Sequence, residues 1–599
     1  MALHQFPTSS QTSRFIERVS CNFNPSFIPR IVKVISKTTA TRMCSQTIVR
    51  RSGNYQPPFW KHEFIQSLRS EFGGEIYVGR FNELKREIRL IINQIIDDPL
   101  KQLELIDTLQ RLGISYHFEN EIKNVLKTTY EKSYENDYWK NNNLYATSLE
   151  FRLLRQHGFN LSQDVFNNFY SSETKSFNTQ MYQDLNGMLF LYEASFLSIE
   201  GENILETAKH FTVKYLEKYM KSSKDEKEVA IVRHALELPL HWRMPRLETR
   251  WFIDIYERKV DMNPILLEFA KLDFNRVQSI HQQDLKYASS WWRSTGFGEK
   301  LRFARDRLME NFLWTVGFGY EPKFSSYRRM ATKINAFITT IDDVYDVYGT
   351  LDELQLFTDA IERWDVDALD QLPDYMKICF FALHNSINEM AFEVLRDKGI
   401  NVIQYLKKAW VDLCKSYMLE AKWYHTNHKP TLEEYLDNAW ISISGPVVLI
   451  HAYVFVTSPT LENMESLKQY VDMVRWSSTI LRLADDLGTS SNELARGDVP
   501  KSIQCYMKDT GGSESDARKH IRHLIDETWK KLNKVQVENS IFPKVFIERA
   551  KNVARMAQCM YQYGDGHGIV HQETKDRVMS LLIQQISIHP YSENLPKVI

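Results

Sequence analysis

Few residues in this chain can end a helix: its 599 residues include only 22 glycines and 18 prolines, well under the roughly 12% that the two supply together in ordinary proteins. A turn-rich sandwich, a collagen-like chain and a disordered chain all need more breakers than this, whereas long helices need few. The apolar residues follow the same rule. Phe81, Leu84, Ile88, Ile91, Ile92, Ile95 and Ile96 recur mostly at spacings of three and four, with Lys85, Arg86 and Arg89 opposite them, which is the pattern of an amphipathic helix. Similar stripes predict helices over 100–113, 148–157, 202–221, 402–422, 461–487 and 519–535, while alternating runs long enough for a sheet are few. No period of about 34 or 40 residues is apparent, so a solenoid has no support. Polar, proline-bearing breaks at 243–246 and 262–264 place a division near residue 260. The expected fold class is all-α, in two helical domains, 50–260 and 261–599.

The first 49 residues differ. They hold six basic residues (Arg14, Arg18, Arg30, Lys33, Lys37 and Arg42), thirteen Ser or Thr and a single acid, Glu17. This is transit-peptide composition, and the one apolar stretch, 23–35, is too broken by Asn24, Pro25, Pro29, Arg30 and Lys33 to be a secretory core. The six cysteines are scattered without metal-ligand spacing, so neither a zinc site nor a disulfide framework is expected. A formal charge of -1, from 75 basic and 76 acidic residues, provides no global field for a nucleic-acid backbone or an anionic membrane. No run of 18 apolar residues occurs, so no integral membrane segment is expected. A polyanionic ligand must be met locally.

Two acidic helix faces could meet one. In Ile341-Asp342-Asp343-Val344-Tyr345-Asp346, helical spacing puts Asp342 and Asp346 on one face, with Thr339 and Asn335 behind them on an otherwise apolar stripe. Like charges at that spacing repel, so a cation is their natural complement, and oxygen-only ligands select a hard ion, magnesium or manganese. Alone, such a cluster is commonly a solvated helix end. The second face is Asp485, Thr489 and Glu493, recurring every four residues, with Arg482 three before Asp485. Two hard-metal faces in one chain point to a diphosphate between them, because magnesium prefers a few carboxylates plus phosphate oxygens to an all-protein cage. Arg305-Asp306-Arg307 could add donors to that anion.

With these residues in view, the chain resembles the plant class I terpene synthases, and within them the plastid monoterpene synthases. Asp342, Asp343 and Asp346 match the family's aspartate-rich metal motif, Asp485, Thr489 and Glu493 its second metal motif, and Arg305 and Arg307 its diphosphate-binding pair. Arg50-Arg51, eight residues and Trp60 match the tandem-arginine motif of the monoterpene branch. The resemblance implies an inactive N-terminal α-barrel, a C-terminal class I helical bundle holding three magnesium ions, geranyl diphosphate as substrate, a monomer, and a place in the chloroplast stroma. No Asp-x-Asp-Asp occurs in the N-terminal half, since Asp97-Asp98 runs into Pro99-Leu100, so protonation-initiated cyclisation is not expected. Arg305 and Arg482 are then placed to bind the departing diphosphate, and Trp314, seven residues after Arg307 on the same helical face, to offer a π face to the carbocation; by the same resemblance Tyr561 is an active-site aromatic, His567 belongs to a lid, and Ser444-Gly445-Pro446 is a helix break beneath the substrate. For Trp314 and Tyr561 ordinary core packing is the competing reading.

Product identity is less constrained. Isoprene synthases carry a Phe seven residues before the first motif aspartate; here that residue is Asn335. Its amide could hold water in the pocket or bond a neighbouring helix carbonyl. The Asn favours cyclic products such as limonene or terpineol over myrcene, ocimene or linalool. The alternatives are a sesquiterpene synthase acting on farnesyl diphosphate, a chain-elongating transferase, which would show two aspartate-rich motifs, and a non-catalytic helical scaffold.

Overall fold

The computed structural model describes residues 50–588 apart from 75–76, 96, 133–141, 179–180, 182, 539 and 570; the transit-type segment 1–49 lies outside them. Strand is confined, among the described residues, to a two-residue antiparallel pair, Tyr170–Ser171 with Ser176–Phe177. The rest is helix and turn, as the scarcity of breakers requires. Helix Val78–Gln94 buries Leu84, Ile88 and Ile92 on the predicted stripe, and helices Pro99–Arg111, Leu144–Gln156, Asn203–Ser222, Ile403–Thr426 and Glu514–Val537 fall where periodicity placed them. Caps set several starts. The Asp98 carboxylate accepts the Lys101 amide, Asn143 that of Ala146, and Thr350 and Thr431 each form a capping box with the Glu three residues on, satisfying amides that the helix itself leaves open.

The proline-bearing breaks near 245 and 263 prove to be helix starts. Pro245 and Pro264 each occupy the first turn of a helix, where a missing N–H costs nothing. The second helix, Pro264–Thr295, packs on Val78–Gln94 of the N-terminal half and on Ser325–Asp343 of the C-terminal half, and a single apolar cluster runs through both. One expected helix, 461–487, is two: Leu461–Lys468 and Asp472–Arg496. Between them Tyr470 takes a left-handed φ of 54° and its hydroxyl donates to Asp412 Oδ2 at 2.5 Å, a tertiary bond that periodicity cannot reveal.

By hydropathy, Leu432–Val456 is the one described segment long and apolar enough to cross a membrane, yet 72% of its window is buried in the fold. It is also broken. Helix Leu432–Ser442 ends before Ser444, which sits at φ 67°, and Gly445–Val456 begins a new helix with Pro446 in its first turn. A Cβ on Gly445 would stand 2.1 Å from Ser478 Oγ, so glycine lets this helix start press against Asp472–Arg496. Cys379, Cys414, Cys505 and Cys559 are buried and free.

Candidate active site

Helix Gly445–Val456 packs against both Ser325–Asp343 and Asp472–Arg496, and these two carry the predicted acidic faces. The first runs to Asp343 and then widens: Val344–Tyr348 is a π turn, closed by the Gly349 amide donating to the Val344 carbonyl at 2.8 Å. Asp342 and Asp346 are therefore not one α-turn apart, although they remain close enough to feel each other. Burial pushes the Asp346 carboxyl well above the usual carboxylate range, and the charge of Asp342 adds to it.

The two aspartates of each pair do different things. Asp342 keeps 28% of its side chain exposed and pairs with Arg305 Nη2 at 2.5 Å. Asp343 is wholly buried, and its Oδ2 accepts both the Arg305 backbone amide at 2.7 Å and Arg305 Nε at 3.1 Å. Asp343, expected among the metal ligands, is thus turned toward an arginine in the interior, where its carboxylate holds Arg305. The second pair repeats the pattern. Arg482 pairs with Asp485 and, at 2.7 Å, with Asp486, and fully buried Asp486 also accepts the Tyr435 hydroxyl at 3.0 Å and the Ser502 amide at 3.1 Å. Each arginine is held from behind by a buried carboxylate and faces a second, more accessible one.

The remaining oxygens of the second face are available. Thr489 donates its hydroxyl to the Asp485 carbonyl at 3.0 Å, leaving its lone pairs open, and Glu493 Oε2 is buried with no hydrogen-bond partner. Burial, reinforced by Glu493 and Asp486, pushes the Asp485 carboxyl up to about 7, and burial likewise raises Glu493. Among the described residues no three His, Cys, Asp or Glu side chains converge into a cage. An oxygen set of this kind suits a hard cation that completes its shell with ligand oxygens.

Arg307 does not face this cluster. It is buried, and its guanidinium donates to the Gly568 carbonyl at 3.0 and 3.3 Å and to the Gln56 carbonyl at 3.0 Å. Arg307, expected to bind the diphosphate, thus directs these donors to two loops. The tandem arginines fasten the same rim. Arg50 grips Glu353 through two 2.8 Å bonds and the Tyr348 carbonyl at 2.9 Å; Arg51 joins the Asp346 carbonyl at 2.8 Å to the Asp498 carboxylate at 2.9 Å, linking the first acidic face to the loop after the second. Tyr55, in this segment, lies with its ring 5.2 Å from the Arg305 guanidinium.

The aromatic residues gather below. Trp314 is 6.0 Å from Tyr561 and 6.5 Å from His567, ring to ring, and Tyr561 lies beside Asp485. Gly488 allows this approach, since a Cβ there would meet Tyr561 Cβ at 2.9 Å and the Gly564 carbonyl at 3.0 Å. Burial, with Arg305 and Arg307 nearby, depresses His567 to about 3 and keeps it neutral; its Nε2 is 3.2 Å from the Thr339 hydroxyl. Asn335, also buried, donates to the Asn311 carbonyl at 3.3 Å.

Two neighbours carry no readable signal. Lys501 lies buried within 3.9 Å of Glu420, and the charges of Glu493, Glu420 and Asp346 raise it despite burial; it follows Glu493 by a loop rather than by a helical step. Tyr417, on helix Ile403–Thr426, is buried beside Asp342 and Asp346. Asp486 was visible only as the second half of a pair.

The chain matches the model of the terpene synthase metal binding domain over 293–531 and that of the terpene synthase N-terminal domain over 59–236. It is 59% identical to a chloroplastic myrcene synthase of Quercus ilex, over 91% of each chain, and 57% identical to a (-)-alpha-terpineol synthase of Vitis vinifera, over 97% of each. The chain belongs to the terpene synthase family. Among solved structures, this terpene synthase is similar to limonene synthase with 2-fluorolinalyl diphosphate, at a TM-score of 0.88 and 48% identity over 90% of this chain and 100% of the other. It is also similar to grey poplar isoprene synthase with three magnesium ions and a thiolodiphosphate, at 0.81 and 46% over 88% and 99%.

Proposed function

We propose that this terpene synthase ionises geranyl diphosphate and releases diphosphate and a monoterpene, leaning to a cyclic product such as limonene or terpineol. The observation that carries the reading is the facing arrangement of two carboxylate clusters, each with an arginine anchored behind it. Asp342 and Asp346 on one side, and Asp485, Thr489 and Glu493 on the other, hold magnesium, with three ions expected and manganese as the substitute. Magnesium, when bound, draws electron density from the diphosphate and makes it a better leaving group. Arg305 and Arg482, held by Asp343 and Asp486, orient the diphosphate, and Lys501 adds a third cation beside it. The Arg50–Trp60 segment closes over the rim and excludes water. Trp314 and Tyr561 present π faces to the allylic cation, and neutral His567 has no charge to oppose it. The relatives' names support a ten-carbon substrate and, with the basic, acid-poor residues 1–49, a plastid stromal protein. The two family matches leave 237–292 between them, and we place the boundary between an inactive N-terminal barrel and the catalytic bundle at residue 260. We assign the active form as a monomer.

Purified protein incubated with magnesium and either geranyl or farnesyl diphosphate, followed by gas chromatography of the volatiles, tests the reading. Monoterpenes from the first are expected; sesquiterpenes alone from the second would replace it with the sesquiterpene reading. Protein beginning at Arg50 should remain folded and active, and loss of activity on that truncation would contradict the transit assignment.

The pH dependence follows from Asp485. Its carboxyl is raised from 3.8 to about 7 in the fold, so the metal-free folded protein keeps a proton there that the unfolded chain releases. That contribution to stability is present at low pH and is lost as pH rises through 7. A cation must displace the same proton, so the magnesium concentration that half-saturates tryptophan fluorescence in the presence of inorganic diphosphate should fall from pH 6 to pH 8. A flat profile would show that Asp485 is not displaced.

Asn335→Ile removes the bond to the Asn311 carbonyl and adds carbon near Thr339. Loss of one hydrogen bond is worth about 1 kcal/mol, enough to change a product ratio about fivefold. The volatile profile should shift while total turnover changes little; a parental profile would assign Asn335 to helix packing alone.

A further inference from the structure

The N-terminal half contains a cavity of about 60 Å³ that shares no residue with the site above. By size it holds several waters or one small organic molecule. Its wall combines carbon, from Leu189, Phe190, Ile231 and Trp251 among others, with an unusual density of charge: Asp107, Arg111, Arg152, Glu193, His234, Arg243 and Glu248.

Most of these charges are matched. Arg152 pairs with Asp107 at 2.5 Å. Arg111 and His234 both reach Glu248, at 2.9 and 2.7 Å, and His234 stacks on Trp251 with ring centres 3.5 Å apart. Arg243 donates to the His234 carbonyl and stands 3.9 Å from Glu248. Two polar groups are left over. Arg152, only 4% exposed, has a buried Nε with no partner. Glu193 accepts the Leu240 amide at 2.7 Å and bonds no side chain, although three guanidinium groups share its cavity.

A buried guanidinium N–H left unbonded costs free energy that water in a largely carbon-walled space recovers poorly. Counting charges, three arginines face the carboxylates of Asp107 and Glu248 and a Glu193 that burial raises to about 7, while burial keeps His234 low and neutral. With Glu193 protonated the lining carries one positive charge in excess. A monoanion balances it, accepts from the guanidinium groups of the lining and from the Glu193 carboxyl, and lays a short alkyl chain on the carbon wall. We propose that this cavity is a second, non-catalytic binding site that takes a short-chain monocarboxylate.

Saturation-transfer NMR of the full chain with sodium propionate tests this. A methyl signal is expected at pH 6.5, undiminished by magnesium and inorganic diphosphate, and at least fivefold weaker in Ala235→Leu, which fills the cavity from a lining position. No signal, a signal displaced by diphosphate, or an equal signal in a folded Ala235→Leu protein overturns the proposal. Should circular dichroism show that variant unfolded, Glu193→Gln decides. Because Glu193 faces Asp107, Arg111, Arg152, His234, Arg243 and Glu248 and is the one group of this set raised to about 7, propionate affinity should fall about fivefold from pH 7 to pH 8 in the native protein and stay level in Glu193→Gln. Identical pH profiles in the two proteins overturn it.

Discussion

Asp342→Ala and Asp346→Ala should each lower kcat/KM on geranyl diphosphate by about three orders of magnitude while leaving the fold intact. Each removes an oxygen that would hold a cation at the leaving group, and Lewis-acid stabilisation of that kind supplies several kcal/mol; about 4 kcal/mol corresponds to three decades. The stability of Asp346→Ala should hold or rise slightly, because Asp346 is buried against a like charge and its removal relieves a repulsion, whereas Asp342→Ala gives up the pair with Arg305 and should lose up to about 1 kcal/mol. Steady-state rates with magnesium, paired with thermal unfolding, check both halves. Near-parental turnover in either variant would remove the metal assignment from this face.

Asp343→Ala should act differently. Its carboxylate and Arg305 form a buried, hydrogen-bonded pair, and taking it away leaves the Arg305 amide and Nε without an acceptor and the guanidinium with Asp342 alone, at a cost of about 3 kcal/mol of folding stability. Arg305 then loses its anchor, so turnover falls even in the fraction that remains folded. Asp343→Asn, which keeps the shape and an acceptor, should recover most of the stability. The discriminating readout is the magnesium requirement. For Asp343→Asn, the concentration giving half-maximal turnover should match the parent's, because the residue positions an arginine; for an Asp342 or Asp346 variant it should rise steeply or be unmeasurable. A raised magnesium requirement in Asp343→Asn would return this residue to the metal ligands.

Asp343 also marks the limit of what spacing can tell. In Asp342-Asp343 the two carboxyls are adjacent along the chain, and helical geometry says only that they leave the axis about 100° apart. Which one meets the interior depends on Arg305, thirty-seven residues upstream of Asp342, whose backbone amide and side chain both reach Asp343. Arg307 is the same case from the other side. An Arg-x-Arg reads as two equivalent donors, yet one is bonded to carbonyls of Gln56 and Gly568, residues 251 and 261 positions away. The tandem arginines, too, were legible as a motif, but not the fact that Arg51 ties Asp346 to Asp498.

What the sequence determined by itself was the repeating part of the protein. Helix type, most helix positions, the acidic faces and the family follow from local periodicity, from the scarcity of breakers and from motif spacing, because each is set by residues within a few turns of one another. Tertiary structure decided the rest. The split of 461–487 at Tyr470, the π turn that carries Asp346, the division of each aspartate pair into a fully buried anchor and a less deeply buried partner, and the placing of Lys501 and Tyr417 beside them all depend on bonds between distant segments. Burial is what gives such groups unusual chemistry: a carboxylate in water is an ordinary acid, and the same group enclosed beside a second one is raised to about 7.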